Sequence, residues 1–254
     1  MIRALIIAGV TSLALASGAL AADLPNAKGP PLYTPPPPAF SWTGIYVGVN
    51  AGYGGDHLRF NAYGPGYLGG ASIPINGFVG GGQVGFNYEI PGSSIAGANF
   101  VVGGETDFDG STVSGSQQTL APPVVTAGPV SAKLDWLGTA RARLGLAFGN
   151  VLPYVTGGFA YAHENLSQPA PGAWSIGTTP TGWTAGAGIE YAFARNLSVR
   201  AEYLYVDLSK VSGSIPGDPA GEFQTAHPTL NVVRAGLDWK FDWISPQTPV
   251  VSKY

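Results

Sequence analysis

From Trp42 to Phe241 apolar residues recur at every second position, with small or polar residues between them. Eight segments carry this alternation: 44–53, 77–89, 98–109, 133–148, 154–164, 182–193, 197–210 and 229–241. A period of two belongs to strands, whose successive side chains point to opposite faces. Helices are excluded by the glycines spread through every segment and by the lack of an apolar stripe at 3.6-residue spacing. Each segment has about the 9–11 residues that take a tilted strand across a bilayer, plus a few at the ends.

The connections alternate in length. Short ones lie at 91–94, 149–151 and 194–196; long ones lie at 54–76, 110–132, 165–181 and 211–228. All the long connections therefore fall at one end of the strand array. Outer-membrane barrels have this asymmetry, with short periplasmic turns and long external loops. An even strand number puts both ends of the array on the periplasmic side. The count is eight, or ten if one long connection hides a hairpin.

Which face meets lipid follows from how residues are sorted. On the loop side the apolar face carries Tyr53, Phe78, Phe108, Trp136, Tyr161, Trp183 and Tyr205; on the turn side it carries Tyr88, Phe100, Phe148, Tyr191, Phe193, Trp239 and Phe241. Small aliphatic residues fill the middle. Two aromatic belts around an aliphatic band match the two interfaces of a membrane. The opposite face holds Asn50, Gln83, Glu105, Asp107, Asp135, Arg141, Arg143, Glu190, Arg200, Glu202, Arg234, Asp238 and Lys240, separated by small residues. An eight-stranded barrel is just wide enough for side chains to fill. The expected architecture is thus all-β: a closed eight-stranded antiparallel transmembrane barrel of the outer-membrane type. Inside it, Glu105, Asp107, Asp135, Arg141, Arg143, Glu190, Arg200, Glu202, Arg234 and Asp238 form a packed ionic network, since an unpaired buried charge is costly.

Composition narrows the function. Charged residues are 11% of the 254, against about 25% in soluble domains. A formal charge of −3 gives no footprint for nucleic acid. The absence of cysteine excludes disulfides, thiolate metal sites and a cysteine nucleophile. Residues 1–21 read as a secretory signal: Arg3, then the apolar run 4–16, then Ala19-Leu20-Ala21 before a cleavage site. Residues 22–41, with the run Pro35 to Pro38, read as an extended periplasmic linker, 42–241 as the barrel and 242–254 as a tail.

The stretch Trp42-Thr43-Gly44-Ile45-Tyr46-Val47-Gly48-Val49-Asn50 resembles the opening strand of alphaproteobacterial outer-membrane immunogenic proteins, porin-like barrels of the opacity type. Trp136-Leu137-Gly138-Thr139-Ala140-Arg141-Ala142-Arg143, Pro153-Tyr154-Val155-Thr156-Gly157-Gly158 and Ala201-Glu202-Tyr203-Leu204-Tyr205 resemble its inner strands. The resemblance implies an envelope protein antigenic through its loops, with haemin binding or permeability proposed for some members, and no catalysis. Arg234, Gly236, Trp239 and Phe241 resemble the closing-strand signal read by the barrel assembly machinery, although here a tail follows the aromatic.

Candidate chemistry is sparse. His57, His163 and His227 all fall at the loop end as ligand candidates; His57 and His227, on neighbouring strands, are the pair that could meet at a metal or haem iron. No ligand spacing supports a site. His163, Glu164 and Ser167 lie together in sequence, but alternation sends His163 and Glu164 to opposite faces, which argues against an enzyme. No cofactor is implied. The function expected is structural or interactive: a barrel in outer-membrane lipid and lipopolysaccharide, showing its loops to host or phage. The alternatives are a small-solute channel and a haemin-binding surface protein.

Overall fold

The computed structural model describes residues 40–64, 67–118, 129–169, 173–214, 222–226 and 228–241. Residues 1–21, expected to be a signal, the expected linker up to residue 39, the expected tail 242–254 and His227 lie outside the described residues.

Among these residues twelve strands form one sheet: β1 (Gly44–Gly64), β2 (Tyr67–Glu89), β3 (Asn99–Ser111), β4 (Ser114–Gln118), β5 (Pro129–Ala147), β6 (Val151–Gln168), β7 (Trp174–Thr178), β8 (Thr181–Ala194), β9 (Leu197–Leu208), β10 (Ser212–Ser214), β11 (Glu222–Ala226) and β12 (Thr229–Phe241). Eight of them are staves. β1, β2, β3, β5, β6, β8, β9 and β12 pair antiparallel in that order, and β12 returns to β1 from Phe241↔Ile45 to Asn231↔Gly55. The four short strands β4, β7, β10 and β11 pair beside the staves at the loop end. Eight staves, not ten, close the barrel.

The short turns lie together at one end. Between β5 and β6 the pair Phe148↔Val151 closes on Gly149-Asn150, with Gly149 at φ +59°. A two-residue hairpin loop of this kind calls for positive φ, which glycine adopts without strain.

At the other end the expected loop 54–76 is largely strand: β1 and β2 stay in register from Gly44↔Asn87 to Gly64↔Tyr67. The barrel therefore continues beyond the lipid-facing band. Strand pairing satisfies backbone N–H and C=O groups wherever it runs, so nothing requires it to stop at the membrane surface.

The belt aromatics point outward, with Phe78 68%, Trp183 50%, Phe148 48% and Trp239 49% exposed. Between them, outward positions carry Val49, Val84, Leu144, Val155, Ile189, Val199 and Leu237. Ala142 is exposed midway along β5 between Trp136 and Phe148. Ala142→Arg is therefore expected to destabilise the barrel by about 2–4 kcal/mol, whereas Phe148→Arg at the rim is expected to cost about 1 kcal/mol from charge alone. Urea titration in lipid vesicles measures both. Equal costs would remove the depth dependence on which the lipid-facing assignment rests.

Candidate functional site

The interior is the chemically distinctive part of the molecule, and it is built in three layers. At the turn end Trp42, Val101, Ala147, Leu152 and Ala192 are buried together, with Phe40 packed against them. Trp42 Nε1 donates to the Gly149 carbonyl at 2.9 Å, and Lys240 Nζ donates to the Ser41 carbonyl while lying over the Phe40 ring. Phe40 and Ser41, read as the end of the linker, belong instead to the plug of the barrel.

Above this plug lies the ionic layer. Arg141 pairs with Asp107 and Glu202, each at 2.8 Å, and with Glu105. Arg234 pairs with Asp107 at 2.7 Å, Glu202 at 2.8 Å and Asp109 at 2.9 Å. Arg200 pairs with Glu105 and, at 3.5 Å, with Asp238; Arg143 pairs with Glu190. Every one of these side chains is buried. Alternation brings them together. On β9 Ser198, Arg200 and Glu202 point inward, and Arg234 and Asp238 do so on β12. The cross-strand pairs Arg234↔Glu202 and Glu105↔Arg141 set them side by side.

Neutral groups complete the layer. Tyr46 donates to Glu105 at 2.6 Å, Asn50 donates to Asp109 at 2.9 Å and Gln83 donates to Asp238 at 2.6 Å. The Arg143 guanidinium lies 3.6 Å from the centre of the Tyr154 ring, a cation–π contact. Gly85 and Gly188 make this possible, because a Cβ at either would overlap the phenol ring of Tyr46 or Tyr154. Tyr46, Tyr154 and Asp109 were missed as network members. Parity alone would have found them: Tyr46 shares the face of Asn50, Tyr154 that of Thr156, and Asp109 that of Asp107.

Asp135, expected in the network, lies instead at the rim, where it pairs with Lys133 at 2.7 Å and accepts from Asn165. The pairing of β5 with β6 shifts between Leu134 and Trp136. That bulge turns the strand over, so Leu134, expected outside, is buried inside. An extra residue in one strand flips every side chain beyond it.

The third layer was not foreseen. Above the charges, Leu58, Ile73, Leu137, Leu166, Leu204, Val206, Leu230 and Val232 are buried in one apolar cluster. The inward face of β9 shows the change directly: Arg200 and Glu202, then Leu204, Val206 and Leu208. Outside, at the same level, His57 and Arg59 are exposed. The lipid-facing part of the barrel is apolar outside and ionic inside, and the protruding part has the reverse order, as a water-soluble barrel does.

Among the described residues the histidines form no site. His57 is exposed, with its Nδ1 3.6 Å from Asp56. His163 points outward, stacked on Trp136 and hydrogen-bonded to Thr179, and His227 lies outside the described residues. Among the described residues no group of three or more His, Asp or Glu is arranged to hold a metal ion. Glu164 faces inward, away from His163. In the segment expected to carry the assembly signal, Arg234 is buried in the network, Gly236 packs under Arg200, and Trp239 and Phe241 lie in the outer belt.

Residues 11–241 match the model of the family described as outer membrane protein beta-barrel domain. The chain is 36% identical over 252 residues to the 31 kDa outer-membrane immunogenic protein of Brucella melitensis biotype 1, covering 94% of this chain and 100% of that one. It is 29% identical to a 22 kDa outer membrane protein of Rhizobium leguminosarum bv. viciae, over 82% of each. The outer membrane protein OprG of Pseudomonas aeruginosa shares the fold, with a TM-score of 0.50 and 13% identity, over 80% of this chain and 99% of that one.

Proposed function

The chain belongs to the outer membrane protein β-barrel domain family, and from that premise we propose that it is a sealed structural barrel of the envelope, one that displays its protruding end to the cell's surroundings and carries out no catalysis. The observation that carries this reading is the filled interior. A solute entering from either end meets packed apolar side chains, and between them a layer in which each arginine is held by at least one carboxylate. Opening a path would strip charges of their partners, which is costly in a dry setting.

The protruding end supplies the interactive half of the proposal. Its wall is strand-paired and polar outside, a rigid support for the long connections that would meet lipopolysaccharide, host or phage. The name of the Brucella relative, an outer-membrane immunogenic protein, accords with such display. At the periplasmic rim the closing segment, with Gly236, Trp239 and Phe241, is the part we assign to recognition by the barrel assembly machinery.

Recording in planar bilayers tests the reading. The full mature chain is expected to give no steady conductance above the lipid background. A steady open state, blocked by bulky substitutions at inward-facing glycines, would replace this function with that of a small-solute channel.

A further inference from the structure

Among the described residues Glu164 is the one carboxylate buried in the apolar third layer. It lies on β6, three residues beyond Tyr161 and outside the lipid-facing band, and its side chain points into the barrel with 5% of the residue exposed. Leu58, Ile75, Ala132 and Leu134 surround it, and with Lys133 they border a cavity of about 10 Å³, room for about one water molecule. Its Oε2 has no hydrogen-bond partner.

Among the described residues no charged group on the neighbouring strands compensates it; on β8 the titratable groups, Glu190 and Tyr191, lie at the turn end. On β5, Lys133 and Asp135 pair with each other at the outer rim. On β1, His57 and Arg59 are exposed and Asp56 accepts from Thr229 and Asn231. On β6 itself His163 points outward. β4 and β7 contain no titratable residue, and neither does β2 between Ser72 and Phe86.

We propose that Glu164 is a proton-controlled latch on the apolar plug. As a neutral acid it packs with the layer; as a carboxylate it draws water in and loosens the loop end. Burial without a compensating charge pushes its carboxyl from 4.5 up to about 7. Because the folded value is raised, the packed layer is most stable below pH 4.5. It loses stability as pH rises towards 7 and is level above that. The closed state should weaken by roughly 300-fold across the whole titration. The latch works at the loop end only and does not depend on whether the barrel conducts.

Hydrogen exchange of the full mature chain in lipid nanodiscs tests it, with rates corrected for intrinsic pH dependence. The amides of Leu134 and Leu166 are expected to lose about 80-fold protection between pH 4.5 and 7, and close to about 300-fold between about pH 3 and 8.5. Those of Val101 and Leu152, at the turn end, should not change. In Glu164→Gln the plug profile should be flat, and Glu164→Leu, which fills the space with apolar atoms, should give the same flat profile at higher protection. Heat-modifiability on gels confirms that each variant is folded. Wild type and either folded variant showing the same pH dependence at Leu134 and Leu166 would overturn the proposal.

Discussion

Replacing Arg141 by methionine is expected to lower barrel stability by about 3–5 kcal/mol, the cost of leaving buried charge without its partner. The side chain is fully buried and holds Glu105, Asp107 and Glu202 at once. Methionine fills much of its volume, so the loss comes from charge rather than from a cavity. Arg234 and Arg200 remain, and they bear on the same acids. Relaxation around them sets the result within the range. Lys133→Met is the matched control. It breaks an ion pair at 2.7 Å too, but at a rim where the lysine side chain is 58% exposed, and such pairs contribute less than about 1 kcal/mol. Urea titration of both variants in vesicles, with migration of unboiled samples as the measure of folding, gives the comparison. Equal and small losses would mean that the layer is hydrated and screened, and the sealed barrel would fall with it.

Leu204→Ala is expected to cost about 2–5 kcal/mol, the range for emptying a packed aliphatic site. Leu204 is fully buried on β9, at the level where the interior turns from ionic to apolar. Its neighbours along the inward face, Glu202 and Val206, are held by salt bridges and by packing, so the space left has little means of collapsing. Tyr203→Ala, on the lipid side of the same strand and 45% exposed, removes more atoms from a surface that lipid can refill. It is expected to cost less than Leu204→Ala. Denaturation in vesicles ranks the two, and the reverse order would show that the loop end is not a packed core.

The same strand shows how much could be read in advance. From Leu197 to Tyr205 the alternation placed Val199 and Tyr203 outside and Arg200 and Glu202 inside, and they lie there. Both aromatic belts were legible for the same reason. A bilayer imposes sorting on a sequence, and that sorting survives without coordinates. The apolar plug was not legible, because Leu58, Ile73 and Ile75 fell in a span counted as loop. Nor was the inversion of the two faces. Glu164 drew notice only beside His163, since nothing in a period of two distinguishes a paired carboxylate from a solitary one.

What the sequence determined by itself is the set of quantities that repeat along the chain: strand period, the end with the long connections, and which face meets lipid. These depend on local alternation and on an external solvent that acts on every stave alike. Tertiary structure decided the rest. The bulge between Leu134 and Trp136, which sends Asp135 to the rim, depends on how β5 pairs with β6. Which arginine holds which acid depends on registers across strands far apart in the chain, as Arg234 with Asp107 shows. The plug exists because four staves and their neighbours continue together past the membrane, and only in the closed ring do their inward leucines and valines meet.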